Sequence, residues 1–162
     1  MMFYLIKFYF SYYLNFNQKH LKKTVFDIKY VKKVTGSTTG LYLISLVNGE
    51  RTFSYWRNNS AAKLLAQSPD DLESAMKDQD IIYFSGITLA ILDTNSRENL
   101  FSGLKLARHA GTKIAFDPNI RPKLWTDRNE MCEVIMAGAN LSDIILPSFE
   151  DEAVWFSDTD PN

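Results

Sequence analysis

The fold of this chain is most constrained by three compact apolar runs that alternate with helical stretches in its second half. The runs are Ile81-Ile82-Tyr83-Phe84-Ser85-Gly86, Thr112-Lys113-Ile114-Ala115-Phe116-Asp117 and Asp143-Ile144-Ile145-Leu146-Pro147, each only five or six residues long. Runs of that length with apolar residues on both faces suit strands buried in a parallel sheet. Between them, residues 93–109 and 126–137 are patterned as helices, with Gly111 ending the first, and a last helix is expected near Phe149. Strand, helix, strand, helix, strand predicts an α/β fold, a doubly wound parallel sheet over residues 80–157. Such a sheet binds its ligands beyond the carboxyl ends of the strands.

The residues at those strand ends are Ser85-Gly86-Ile87-Thr88, Asp117-Pro118-Asn119-Ile120-Arg121 and Pro147-Ser148-Phe149-Glu150-Asp151-Glu152. Gly86 permits close approach of backbone to a ligand, and Arg121 offers a fork for an anionic group. The acidic cluster has two readings, one near a metal-bound phosphate and one as the favourable N-terminus of the final helix. Asp117 and Asn119 can likewise organise a turn around Pro118.

Upstream, Asn48-Gly49 sits between two alternating runs, Leu41-Tyr42-Leu43-Ile44-Ser45-Leu46-Val47 and Glu50-Arg51-Thr52-Phe53-Ser54-Tyr55-Trp56. That dipeptide supplies the positive φ angles of a type I′ turn, so residues 39–57 are read as a β-hairpin. Alternation puts Tyr55 and Arg57 on one face, where a guanidinium and a phenol suit a polyhydroxylated acid. The competing reading is a plain hairpin with Tyr and Arg as surface side chains. Residues 58–62 read as an open loop. Ser68-Pro69-Asp70-Asp71 starts a short helix that ends before Asp80.

The N-terminal residues 1–16 are crowded with aromatic and aliphatic side chains, but Lys7, Ser11 and Asn15 interrupt them too early for a membrane span. No cleavage signal follows, so this segment is set apart as a hydrophobic extension. Residues 17–23 read as a short helix and 25–34 as an edge strand kept soluble by Lys29, Lys32 and Lys33. The 162 residues carry a net charge of -1, which leaves no electrostatic footprint for nucleic acid. One cysteine, Cys132, fits a packing role in a reducing compartment, and a cytoplasmic address is expected. His20 and His109 lack partners at zinc-ligand spacing.

Five strings in order resemble the ribokinase-like (PfkB) sugar kinases, and within them the 2-keto-3-deoxygluconate kinases. They are Thr39-Gly40-Leu41-Tyr42-Leu43-Ile44; Phe53-Ser54-Tyr55-Trp56-Arg57 with Ser60-Ala61-Ala62; Phe84-Ser85-Gly86-Ile87-Thr88; Phe116-Asp117-Pro118-Asn119-Ile120-Arg121 with Leu124-Trp125; and the acidic string from Pro147. The resemblance implies a partial ribokinase-like domain over 17–162, with the hairpin as a lid carrying Tyr42, Tyr55 and Arg57, and Ile87 and Arg121 completing a sugar-acid site. It further implies ATP and magnesium as cofactors, 2-keto-3-deoxygluconate as substrate and a homodimer paired through the lid, with no nucleic acid or membrane partner. Asp151 matches a position near magnesium and phosphate, though Ser148 stands where many relatives have Asn and Asp151 where they have Glu.

Members of that family usually start with a glycine-containing strand against the sugar and carry a late Gly-Ala-Gly-Asp string that supplies the catalytic base and anion hole. Neither occurs in these 162 residues, nor does a P-loop. The expectation is therefore a kinase fragment without the nucleotide-binding half and without turnover. The alternative is a non-catalytic remnant that binds a sugar acid or dimerises.

Overall fold

The computed structural model describes residues 3–4, 29–157 and 159, and these fall into two compact units divided at Leu65. The unit from Ala66 onward, joined by Phe3 and Tyr4, is built on a four-stranded, wholly parallel sheet. In chain order its strands are β1 (Phe3–Tyr4), β4 (Ile81–Ser85), β5 (Lys113–Asp117) and β6 (Ile144–Ile145), which is also their order across the sheet. Register pairs Phe84 with Phe116 and Ser85 with Asp117, so Ile82, Phe84, Ile114 and Phe116 share one face while Tyr83, Ser85, Ala115 and Asp117 share the other.

The first of these faces makes the core. Phe84 and Phe116 stack at 4.7 Å between ring centroids, and both are fully buried. Of the four longer helices, three carry side-chain N-caps. In α1 (Pro69–Met76), Ser68 accepts from the Asp71 amide at 3.3 Å, and Leu72 and Met76 are buried. In α3 (Thr94–His109), Asp93 accepts from the Ser96 amide at 2.7 Å, which holds its carboxyl below the usual aspartate range. That helix buries Leu100, Leu104 and Ala107. In α4 (Arg128–Leu141), Asp127 accepts from the Glu130 amide at 2.7 Å, and Met131, Ile135 and Leu141 face inward. The last is α5 (Phe149–Phe156).

After β4 the structure adds a helix that the pattern does not show, and it moves two boundaries. The stretch after β4 is a helix, α2 (Gly86–Ile91), because Thr88 and Leu89 continue the apolar face into the core rather than turning outward. The helix expected at 126–137 begins after Asp127 and runs to Leu141, since Asp127 is spent as the cap. The strand expected at 143–147 is only Ile144–Ile145: the Asp143 carboxylate is turned inward to accept from the Ile114 amide at 2.9 Å and from Arg108 at 3.0 Å. That amide contact, aided by Arg108, draws the Asp143 carboxyl below its ordinary value.

The other unit, described from residue 29 to Leu65, is a hairpin of β2 (Leu41–Val47) and β3 (Glu50–Trp56). Asn48 and Gly49 have φ of 52° and 84°, the paired positive angles of a type I′ turn. Residues 29–34 form no strand, with a turn at 29–30 and irregular backbone after it, while 25–28 and the helix expected at 17–23 lie outside the described residues. Residues 58–62 are not an open loop. Ser60 is buried, bridges to Thr38, and accepts from the Ala62 amide at 3.3 Å to start a 3-10 helix at Ala61–Leu64.

Candidate functional site

The parallel sheet brings the ends of β4 and β5 together at one rim. Gly86, the first residue of α2, lies so close to the segment after β5 that an added Cβ would fall 1.9 Å from the Pro118 carbonyl oxygen. No other residue fits that approach. Pro118 is buried, and Asn119 beyond it has a φ of 37°, the left-handed region that asparagine tolerates. Ile87 sits half-buried in the first turn of α2. Arg121 is exposed, caps a 3-10 helix at Pro122–Leu124, and donates from Nη1 to the Ile120 carbonyl at 2.7 Å.

Beneath this rim lies polar chemistry that the sequence pattern does not single out. The Tyr83 hydroxyl donates to Asp117 Oδ2 at 2.9 Å. Burial first, and the Asp117 carboxylate second, push the Tyr83 phenol up to about 12, so it remains a donor at neutral pH. Ser85 Oγ and Asn119 Oδ1 are buried without a hydrogen-bond partner. Ser85 occupies the N-cap position of α2, yet its hydroxyl does not cap. Unpaired buried polar atoms at adjoining strand ends are suited to a ligand group or water. Behind the Arg121 loop, Arg97 donates to Glu130 Oε1 at 2.7 Å and stands 5.5 Å from the Trp125 ring, tying α3 to α4 and to the residues after Arg121. Period-two alternation is the one sequence signal for Tyr83 and Ser85; nothing local marks Arg97.

In the hairpin unit, Tyr42 and Tyr55 are directly opposite in register and therefore on one face. The Arg57 guanidinium lies 4.3 Å from the Tyr55 ring. The three residues expected on the lid are thus gathered: two phenols and a planar cation. Both faces of the hairpin expose large apolar side chains, Ile44 and Leu46 beside the tyrosines and Leu41, Leu43, Val47 and Trp56 on the reverse.

Asp151 is on the first turn of α5 between Glu150 and Glu152, where acids favour the helix N-terminus. Among the described residues, no three His, Cys, Asp or Glu side chains gather as metal ligands. No helix among them is long and apolar enough to cross a membrane.

Comparison with known proteins identifies the family. The family model for pfkB family carbohydrate kinases matches residues 13–162. A 2-dehydro-3-deoxygluconokinase of Haemophilus influenzae is 45% identical over 120 residues, covering 72% of this chain and 38% of that protein. The protein of that name in Escherichia coli K12 is 38% identical over 133 residues, covering 80% and 43%. Among solved structures, a fructokinase from Xylella fastidiosa superposes with a TM-score of 0.77 at 22% identity, covering 96% of this chain and 46% of its own; that enzyme has also been solved with bound ATP. The chain thus spans about 40% of the length of these curated relatives. The chain belongs to the pfkB family of carbohydrate kinases.

Proposed function

We propose that these 162 residues hold the sugar-acid-recognising elements of an ATP-dependent kinase that phosphorylates 2-keto-3-deoxygluconate on its 6-hydroxyl. The observation that carries the reading is the Tyr42, Tyr55 and Arg57 group, found in a chain 45% identical to a 2-dehydro-3-deoxygluconokinase over the matched stretch. By family resemblance, Arg57 with Tyr42 and Tyr55 in the hairpin unit, and Arg121 with Ile87 in the sheet unit, are each assigned to sugar-acid recognition, the arginines to an anionic group and the tyrosines to hydroxyls. A guanidinium matches a carboxylate fork to fork, and a phenol both donates and accepts. ATP is the phosphoryl donor that family membership supports. Magnesium is proposed from the family alone, and Asp151 offers one carboxylate to it.

The 162-residue polypeptide by itself is inactive in this account, because phosphoryl transfer rests on positioning both substrates and on a base and anion donors that the Gly-Ala-Gly-Asp string supplies in the family. A coupled kinase assay with mass-spectrometric detection of the phosphorylated sugar acid tests this. The expected result is no turnover above a protein-free control; sustained turnover overturns it. A second reading, a dimerising remnant, is favoured by the exposed apolar side chains on both hairpin faces. Light scattering over a concentration series tests it, and a monomer throughout counts against a pairing lid.

A further inference from the structure

Three asparagines among the described residues precede a small residue whose amide can attack their side chain: Asn48 before Gly49, Asn59 before Ser60 and Asn95 before Ser96. All three are exposed, so exposure does not separate them. Hydrogen bonding does. The Ser60 amide donates to the Arg57 carbonyl at 3.1 Å, and the Asn59 carboxamide donates to the Gly36 carbonyl at 3.1 Å, so nucleophile and leaving group are both held. The Ser96 amide donates to Asp93 Oδ1 at 2.7 Å in the first turn of α3. At Asn48, by contrast, the Val47–Glu50 pair closes the ladder of β2 and β3, so the Gly49 amide carries no bond of that ladder.

Cyclisation also requires the Gly49 nitrogen to reach the Asn48 carboxamide carbon. Closing that five-membered imide ring holds the Asn48 ψ near about −120°, the value a type II′ turn has at its first central residue. The Asn48 φ of 52° suits a I′ and a II′ turn alike. Only the peptide between Asn48 and Gly49 must flip, taking Gly49 from a φ of 84° to about −80°, a swing that glycine makes at no steric cost. Space is available, since a Cβ built on Gly49 has nothing within 4 Å. Both turns join strands through a two-residue loop, so the ring forms without moving the register of β2 against β3.

We propose that Asn48 is a spontaneous modification site, deamidating through a cyclic imide that the folded hairpin accommodates in its turn. The Gly49 nitrogen loses its proton to solvent hydroxide and bonds to Asn48 Cγ; the bond from Cγ to Nδ2 breaks, and ammonia leaves with a proton taken from water. A second water then opens the ring. Attack at Cγ gives aspartate, and attack at the Asn48 carbonyl carbon gives isoaspartate, in which the chain runs through the side-chain methylene. Either product adds one negative charge to the formal −1 of the chain. Aspartate before glycine still supports a I′ turn. Isoaspartate lengthens a loop whose two residues set the register, so that product loosens the hairpin. The proposal does not rest on the sugar-acid assignment.

The test incubates the full 162-residue protein at pH 8 and 37 °C, folded and in guanidinium chloride, and maps the products by mass spectrometry with fragmentation that separates isoaspartate from aspartate. Folded Asn48 should convert within about tenfold of its rate in guanidinium chloride, and at least tenfold faster than folded Asn59 or Asn95. Asn48→Gly, which keeps a I′ turn, should abolish the acidic species. Separated by ion exchange, the isoaspartyl form should exchange its hairpin amides at least tenfold faster than the aspartyl form. Three results overturn the proposal: Asn48 converting only in guanidinium chloride, Asn59 or Asn95 converting as fast in the folded protein, or hairpin amides unprotected in the unmodified protein. Equal exchange in the two product forms overturns the loosening.

Discussion

Replacing Gly86 with alanine tests the packing that positions the rim. The new Cβ would lie 1.9 Å from the Pro118 carbonyl oxygen, 2.6 Å from Ile135 Cδ1 and 3.0 Å from the Pro118 carbonyl carbon. Ile135 can rotate away, but Pro118 is backbone in a buried segment. Ordinary contact begins at 3.4 Å, so α2 and the loop after β5 must part by about 1.5 Å. Forced insertion of a methyl group into a packed site costs about 1–3 kcal/mol. The gain from replacing glycine in a helix, about 0.5–1 kcal/mol in an interior position, offsets part of this. A net loss of about 1–2 kcal/mol is predicted, or roughly 2–8 °C in Tm for a protein of this size. Gly103→Ala is the control: the one tight approach of its Cβ is to the flexible Met76 Sδ, at 3.1 Å, with Leu72 Cβ and Met76 Cε at an ordinary 3.8 Å, and the variant should be as stable as the parent or more so. Thermal and urea unfolding followed by circular dichroism reads both. A Gly86→Ala variant as stable as the parent would refute the close approach.

Two pH dependences follow from the same unit. Because the folded Tyr83 phenol is held up to about 12, the unfolded polypeptide loses that proton first as pH rises, so stability should fall between roughly pH 10 and 12. Tyr83→Phe should flatten that alkaline arm in urea midpoints at pH 8 and 11, and an identical slope in parent and variant would contradict the pairing with Asp117. The Asp143 carboxyl, lowered by the Ile114 amide and then by Arg108, contributes stability above the unfolded value that is lost as pH falls through the folded one. Asp143→Asn should therefore lower Tm at pH 7 and narrow its difference from the parent at pH 3; an equal deficit at both values would rule the linkage out.

How far the fold is legible in the sequence depends on whether a signal is local. Asn48-Gly49 dictates its own turn, and Ser68, Asp93 and Asp127 cap their helices with their own side chains, so these elements are open to pattern reading; at Asp93 and Asp127 the pattern fails to tell the cap from the first turn. The helix at Gly86–Ile91 is not open to it, because six residues give too little periodicity to separate a helix from a loop. Pattern alone makes β6 too long, because nothing in the sequence shows that Asp143 bends inward to Ile114 across the sheet. The same limit hides Tyr83 with Asp117, 34 residues apart, and Arg97 with Glu130, 33 apart: each pair exists only once the strands or helices are in place. Tyr42 opposite Tyr55 is accessible in principle, since the turn fixes the register.

The central claim, that Tyr42, Tyr55, Arg57, Ile87 and Arg121 serve a sugar acid, is tested most directly by calorimetric titration of 2-keto-3-deoxygluconate into the parent protein and its Arg57→Ala, Arg121→Ala and Tyr42→Phe variants. A charge-assisted contact contributes about 1.5–3 kcal/mol and a neutral one about 0.5–1.5. The account predicts saturable binding that weakens roughly tenfold or more in each arginine variant and less in the tyrosine variant. Equal losses in all three, or affinity unchanged in both arginine variants, would contradict it.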